Sequence, residues 1–190
     1  LLYFIFMILV LGSNGFLGKR MCKFLKKKQI IFDAISRENG PDLVNRLDTL
    51  KFFEKNKPQV VLNCAAHVGG IEFGKKYPAD IFHQNLQITL NILEACTKNK
   101  IKRLVNPISN CTYPAKANFF KEEEYWDGPM HESVMVYGLA RKASWMGSLA
   151  FSKQYNLDTV NLIFSNMYGP EDHFEEERSV LDKNFVQAIK

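Results

Sequence analysis

An unbroken apolar run, Phe4-Ile-Phe-Met-Ile-Leu-Val-Leu11, is followed by glycines at 12, 15 and 18 and then by a lysine-rich amphipathic stretch. A run without polar alternation suits a strand buried on both faces of a parallel sheet. The glycines then turn the chain into a helix beginning near Phe16. The same rhythm continues downstream. Ile30 to Ile35 is a short apolar run that ends at Ser36-Arg37 and a Gly40-Pro41 turn. Residues 48–56 read as a short helix and Val60-Val-Leu-Asn-Cys64 as a buried strand. A long helix is predicted over 78–99, with Pro78 near its start, where a missing N–H does no harm. Residues 103–108 form a fourth strand, 134–155 a second long helix, 159–164 another strand, and a final helix opens at Leu181. Strands alternating with helices predict an α/β fold: a doubly wound parallel sheet covered on both faces, in three layers. No repeat, low-complexity linker or second domain interrupts the 190 residues, so 1–190 reads as one domain.

Composition agrees, since 46% hydrophobic and 24% charged residues suit one globular domain with a sizeable core. The net charge of +5 raises nucleic acid as a partner. The lysines at 26–28, 98, 100 and 102 are scattered on helix faces without clustered aromatics, so no nucleic-acid partner is expected. Leu1 to Leu11 is too short to span a bilayer, which takes about 20 residues, and lacks a basic leader and cleavage site. No membrane association is expected. Met7 makes a natural start for the first strand, so residues 1–6 read as an upstream extension. Cys22, Cys64, Cys96 and Cys111 form no C-x-x-C pair and have no secretory context. A reduced, cytoplasmic protein without disulfides or bound metal is the expectation.

The glycines carry the first chemistry. Their spacing, G-x-x-G-x-x-G between a strand and a helix, suits a Rossmann-type dinucleotide turn. There the backbone must turn tightly and approach a pyrophosphate at the helix N-terminus. It is not a P-loop, because Leu17 and Arg20 stand at the decisive places. Gly12, Asn14, Gly15, Phe16, Leu17 and Gly18 are therefore the candidate cofactor turn. An acidic residue about twenty positions past such glycines holds the ribose of NAD. Ser36-Arg37 lies near that point, and a guanidinium suits a 2′-phosphate, so NADP(H) is expected over NAD(H). Asp33 falls earlier, within the strand.

Further candidates stand at the ends of later strands, where doubly wound folds place their ligands. Tyr137 and Arg141 lie one turn apart on one helix face. A phenol beside a fixed cation is expected to have a lowered pKa and to pass a proton to or from a carbonyl. Ser109, after the fourth strand, would stabilise charge on the same oxygen. Cys22, Cys64 and Cys96 read as packing residues, as do His83 and His131, and Glu122 to Glu124 as a solvated segment.

The glycine turn, Cys64-Ala-Ala-His-Val-Gly-Gly-Ile71, Tyr77-Pro-Ala-Asp80, Asn85-Leu-Gln-Ile-Thr-Leu-Asn91, Ser109-Asn-Cys-Thr-Tyr-Pro114, Tyr137 to Arg141 and Asn166-Met-Tyr-Gly-Pro170 follow one another in order. Together they resemble the extended short-chain dehydrogenase/reductases, and among them the GDP-L-fucose synthases. The resemblance implies NADPH-dependent epimerisation and reduction of a nucleotide sugar, GDP-4-keto-6-deoxy-mannose. It implies that Ser109 and Tyr137 bind the ketone oxygen, that Tyr137 is the acid for hydride transfer and that Cys111 moves protons at the flanking carbons. The alternative for Cys111 is an inert small hydrophobe, and for Asn166, which matches a substrate-contacting position, a turn-shaping role. Asp48, Ala65, Ala66 and His67 join the expected cofactor contacts, with Tyr137 and Arg141.

Three departures stand out. The family's Tyr-x-x-x-Lys is Tyr-x-x-x-Arg here, and Arg141 never deprotonates. Lys142 does not substitute, being rotated by about 100°. Val180 stands where a histidine proton donor is expected, and His173 reads as a loop residue. The chain stops at Lys190, whereas the family continues into a substrate lobe, so that lobe is expected to be largely missing. Other readings stay open: a nucleotide-sugar 4-epimerase or dehydratase, disfavoured by Cys111, and a non-catalytic dinucleotide-binding protein. Finally, Phe82, Leu86, Leu90 and Leu93 on one long helix, and Leu139, Trp145, Met146 and Leu149 on the other, give each a second apolar face. Burying those faces predicts a homodimer, as in related enzymes.

Overall fold

A computed structural model of the chain describes residues 7–170. The described elements run β1 (Ile8–Leu11), α1 (Phe16–Lys27), β2 (Phe32–Ile35), α2 (Arg46–Asn56), β3 (Val60–Asn63), α3 (Ile71–Lys76), α4 (Pro78–Lys98), β4 (Arg103–Ser109), α5 (Met135–Tyr155) and β5 (Asp158–Phe164). The strands form one sheet in the order β2-β1-β3-β4-β5. β1 pairs in parallel with both β2 and β3, and β3 with β4. The chain thus winds outward from β1 in both directions, the doubly wound Rossmann-type arrangement. The reversal beside β1 opens the crevice where such sheets hold ligands.

The residues cluster into two compact units. One comprises the described residues up to Ala66 with Gln87–Pro107 and Ser144–Leu162. The other comprises His67–Leu86, Ile108–Ala143 and the described residues from Ile163 onward.

The first unit owes its core to the apolar strand that opens the chain. Leu9, Val10 and Leu11 are wholly buried, and Leu9 and Leu11 pack with Phe53 of α2, Val61 of β3, Ile92, Leu93 and Cys96 of α4, and Leu104 of β4. Burial of such side chains is worth about 1.5–3 kcal/mol each. One polar cluster interrupts this core. Asn63 donates to Asn106 Oδ1 at 3.2 Å, and Asn106 donates to Ser144 Oγ at 2.9 Å and Asn161 Oδ1 at 3.1 Å. With its amide satisfied, Asn106 sits within the sheet without the usual penalty for a buried polar group.

Several boundaries differ from the sequence expectation for local reasons. α2 starts at Arg46 rather than 48, because the Asn45 side chain accepts from the amides of Leu47 and Asp48 and fixes the helix start. β2 starts at Phe32; Ile30 and Ile31, part of the apolar run, are exposed. The sequence reading missed α3, whose six residues are too few to show a period. The expected helix from Leu181, with His173 and Val180, lies outside the described residues. No described helix is long and apolar enough to cross a membrane.

Candidate functional site

In the first unit, β1 delivers the chain into the glycine turn. Gly12 has φ +73, and a Cβ there would lie 2.7 Å from the backbone of Cys64 and Ala65. Only glycine allows both that conformation and so close an approach to the end of β3. A Cβ on Gly18 would lie 2.1 Å from the Gly12 carbonyl oxygen, so Gly18 lets the first turn of α1 sit against the glycine turn. Gly15 is the N-cap of α1, in extended conformation and with no side-chain cap, and no acidic side chain occupies the first turn. The helix therefore presents its first amides and positive dipole end as a seat for an anion. Phe16 and Leu17 open the helix, and the Arg20 guanidinium covers the Phe16 ring at 3.8 Å.

The turn is tied to the end of β2. Ser13 N–H donates to the Ile35 carbonyl at 2.9 Å. The Asn14 amide donates to Ser36 Oγ at 3.1 Å and to Glu38 Oε2 at 2.9 Å. Arg37 stands exposed between these two partners. Glu38, twenty positions past Gly18, is the residue that the sequence reading passed over in favour of Arg37. Its spacing was the available signal. Ala65 and Ala66 follow β3 beside Gly12, and Asp48 lies exposed in the first turn of α2.

In the second unit, the Asn85 side chain brackets the His67 backbone, accepting from its amide at 3.0 Å and donating to its carbonyl at 2.8 Å. The His67 ring packs edge-on against Phe73, with centroids 5.6 Å apart.

The same unit gathers Ser109, Cys111, Tyr137 and Arg141. Ser109 ends β4, and its hydroxyl accepts from the Cys111 amide at 3.4 Å, starting a single 3-10 turn. Gly138 is the reason the first turn of α5 can reach this segment. A Cβ there would meet Met130 Sδ at 2.6 Å and the Cys111 carbonyl oxygen at 3.3 Å. Tyr137 and Arg141 therefore arrive beside Cys111, with Arg141 only 4% exposed.

The electrostatics correct one expectation. The Tyr137 phenol is raised, not lowered: burial disfavours the phenolate more than the Arg141 guanidinium favours it, and Cys111 raises it further. Burial likewise pushes the Cys111 thiol up, while Ser109 and Arg141 pull it back. Tyr137 is thus kept protonated, the state of an acid. Lys142 is spoken for elsewhere. Its ammonium donates to the Tyr125 carbonyl at 2.7 Å and lies over the rings of Tyr125 at 4.7 Å and Trp126 at 4.5 Å. Asn166 is exposed just past β5. Among the described residues, no cluster could hold a metal ion.

On the surface of the second unit, Phe82 of α4 and Met135, Val136 and Leu139 of α5 line an apolar groove of about 360 Å³ with Pro78 and Ala79. In the first unit, Leu90, Met146 and Leu149 are exposed. Leu93, expected on the outer face of α4, is instead 1% exposed in the core. The helical period turns it toward the sheet beside Ile92.

The profile of the NAD dependent epimerase/dehydratase family matches residues 8–190. A GDP-L-fucose synthase of Dictyostelium discoideum is 31% identical over 170 residues, covering 88% of this chain and 53% of that protein. Among solved structures, a GDP-L-fucose synthetase from Naegleria fowleri bound to NADP superposes with TM-score 0.83 at 27% identity, over 91% of this chain and 54% of that one. A GDP-mannoheptose C4 reductase from Campylobacter jejuni with NADP bound gives 0.83 at 28%, over 88% and 53%. The chain spans about half the length of the curated relatives it matches. With a matching profile over nearly its whole length, the chain belongs to the NAD-dependent epimerase/dehydratase family.

Proposed function

We propose that this chain is the cofactor-binding part of an NADPH-dependent nucleotide-sugar epimerase/reductase, acting on a GDP-linked 4-keto-6-deoxy sugar. The observation that carries the reading is the gathering of Ser109, Cys111, Tyr137 and Arg141 beside one another. Reduction of a ketone needs a proton for its oxygen, and a phenol kept protonated by burial supplies one. Inverting a carbon next to the ketone needs a proton removed from one face and another delivered to the opposite face, and Cys111 is the candidate for one of these two transfers. Those C–H bonds become acidic only while the ketone oxygen is polarised, so Ser109 and Tyr137 serve both reactions. The relatives named for GDP-sugar synthesis and reduction support this substrate class over a 4-epimerase or dehydratase. NADPH oxidation by the full-length protein against a panel of 4-keto nucleotide sugars tests it. Oxidation with GDP-4-keto-6-deoxy-mannose is expected, and none with any of the panel would refute it.

The cofactor supplies a hydride when bound. The uncapped end of α1 would seat its pyrophosphate, and Arg37 a 2′-phosphate. NADPH is expected to bind more tightly than NADH, with the difference lost in Arg37→Ala. Equal affinities in the unaltered protein, measured by calorimetric titration, would overturn the assignment of Arg37.

We further propose a homodimer formed through the outer faces of α4 and α5. Phe82 and Leu90 of α4, and Leu139, Met146 and Leu149 of α5, are large apolar side chains exposed on these helices, and burying such side chains favours association. Light scattering at micromolar concentration is expected to give twice the chain mass and Leu139→Asp the single mass. A monomer in the unaltered protein would refute this.

A further inference from the structure

We infer that the end of the first unit opposite the glycine turn is a docking surface for an anionic membrane: exposed lysines there flank the exposed side chains of Phe24, Ile30 and Ile31. The inference needs only the fold and not the function proposed above. In a parallel sheet every strand starts at one end, and the register sets Phe32, Ile8, Val60 and Arg103 side by side across it. Neighbouring strands lie about 4.8 Å apart, so the connections that precede β2, β3 and β4 emerge along one continuous edge. All of them belong to the first unit. Each carries exposed cations. Lys26, Lys27 and Lys28 lead into β2, Lys55 and Lys57 into β3, and Lys100 and Lys102 into β4. The chain's net charge is +5, so these lysines hold all of its positive excess. Against them stand Asp33, Glu54 and Asp158, the last already bonded to Arg103 at 2.6 Å.

Helix dipoles account for a lysine in a last turn, but not for the rest of this surface. Lys57 has φ +44 and Lys100 φ +52, in the left-handed region where a helix end favours glycine. A cation stands at both positions in spite of that preference. Backbone hydrogen bonds fix the turns: the Lys57 amide donates to the Phe53 carbonyl at 2.8 Å, Ile30 to Leu25 at 3.0 Å and Ile101 to Cys96 at 2.9 Å. Ile31 is 56% exposed and Phe24 51%, and the Lys28 ammonium lies 5.8 Å from the Phe24 ring. Apolar side chains among lysines match an anionic lipid surface, with charged headgroups outside and acyl chains beneath. A nucleic acid would meet the same charge, but aliphatic side chains offer its bases no stacking platform. The absence of membrane association expected from the sequence rested on the lack of a spanning segment, which does not bear on surface docking. The glycine turn follows β1 at the other end of the strands, so a docked protein keeps its cofactor turn in water.

Flotation of the full-length protein with lipid vesicles tests this. At about 0.15 M salt, vesicles of three parts phosphatidylcholine to one part phosphatidylserine are expected to bind about tenfold more protein than phosphatidylcholine alone, and about 1 M salt to release it. Lys28→Gln, Lys57→Gln and Lys100→Gln are each expected to weaken binding about fivefold, the effect of one lysine near such a surface. Ile31→Ser, which keeps every charge, is expected to weaken it by a similar factor. All four side chains are exposed, so circular dichroism is expected to match that of the unaltered protein. Equal binding to the two vesicles, or none to either, overturns the docking surface. Binding that Ile31→Ser leaves unchanged, and that a single-stranded oligonucleotide competes away, assigns the lysines to nucleic acid and also overturns it. The dinucleotide reading stands in either case.

Discussion

Gly18→Ala is expected to weaken NADPH binding about a hundredfold or more and to destabilise the protein. The added Cβ would sit 2.1 Å from the Gly12 carbonyl oxygen and 2.8 Å from the Gly12 carbonyl carbon and the Ser13 Cα. None of these atoms is the end of a flexible side chain, so relief requires α1 to move away from the turn. Overpacking of this kind costs about 1–3 kcal/mol in stability. Binding suffers as well, because the amides at the start of α1 would no longer converge on one anion. An affinity drop of about a hundredfold or more, close to 3 kcal/mol, is expected by calorimetry. Gly15→Ala is the control: its Cβ would meet only the Gly12 oxygen, at 3.3 Å, and a smaller loss is expected. Equal binding by Gly18→Ala and the unaltered chain would remove the glycine turn from the account.

The second large effect is expected at Tyr137. Tyr137→Phe keeps the ring and its packing and removes only the proton that the ketone oxygen must receive. General acid catalysis is worth about a hundredfold to ten-thousandfold, so NADPH oxidation with GDP-4-keto-6-deoxy-mannose is expected to fall by that factor. NADPH affinity should change little by comparison. Cys111→Ser separates the two reactions: proton exchange at the carbons beside the ketone, read as deuterium uptake from heavy water, is lost, while reduction continues. Arg141→Lys is expected to raise turnover, since a lysine can join a proton relay and a guanidinium cannot. If Tyr137→Phe reduces the ketone at the unaltered rate, the acid lies elsewhere.

The order of strands and helices was legible because each buried strand is a short, nearly pure apolar run, as in Val60-Val-Leu62, and the long helices carry clear faces. The glycine turn was legible because its spacing reports backbone constraints, which the φ of Gly12 and the Gly12–Gly18 contact bear out. Glu38 was not singled out. Its spacing past the glycines was visible, but its hydrogen bond to the Asn14 side chain, twenty-four positions earlier, was not. The raised phenol of Tyr137 was misread for a related reason. Spacing reveals the Arg141 charge one turn away, but desolvation depends on everything packed around the ring, including Cys111 from a different element. Leu93 shows the same limit on a helix that is apolar around more than one side, where periodicity alone does not say which side meets the sheet.

We propose that a dinucleotide turn serves the reduction of a GDP-linked ketone through Tyr137. Stopped-flow absorbance of NADPH, mixed with the full-length protein and GDP-4-keto-6-deoxy-mannose, tests it most directly. A decay of the nicotinamide absorbance that requires the sugar and is abolished in Tyr137→Phe is expected. Bound NADPH that no 4-keto nucleotide sugar oxidises, in protein whose fold is intact, would contradict it.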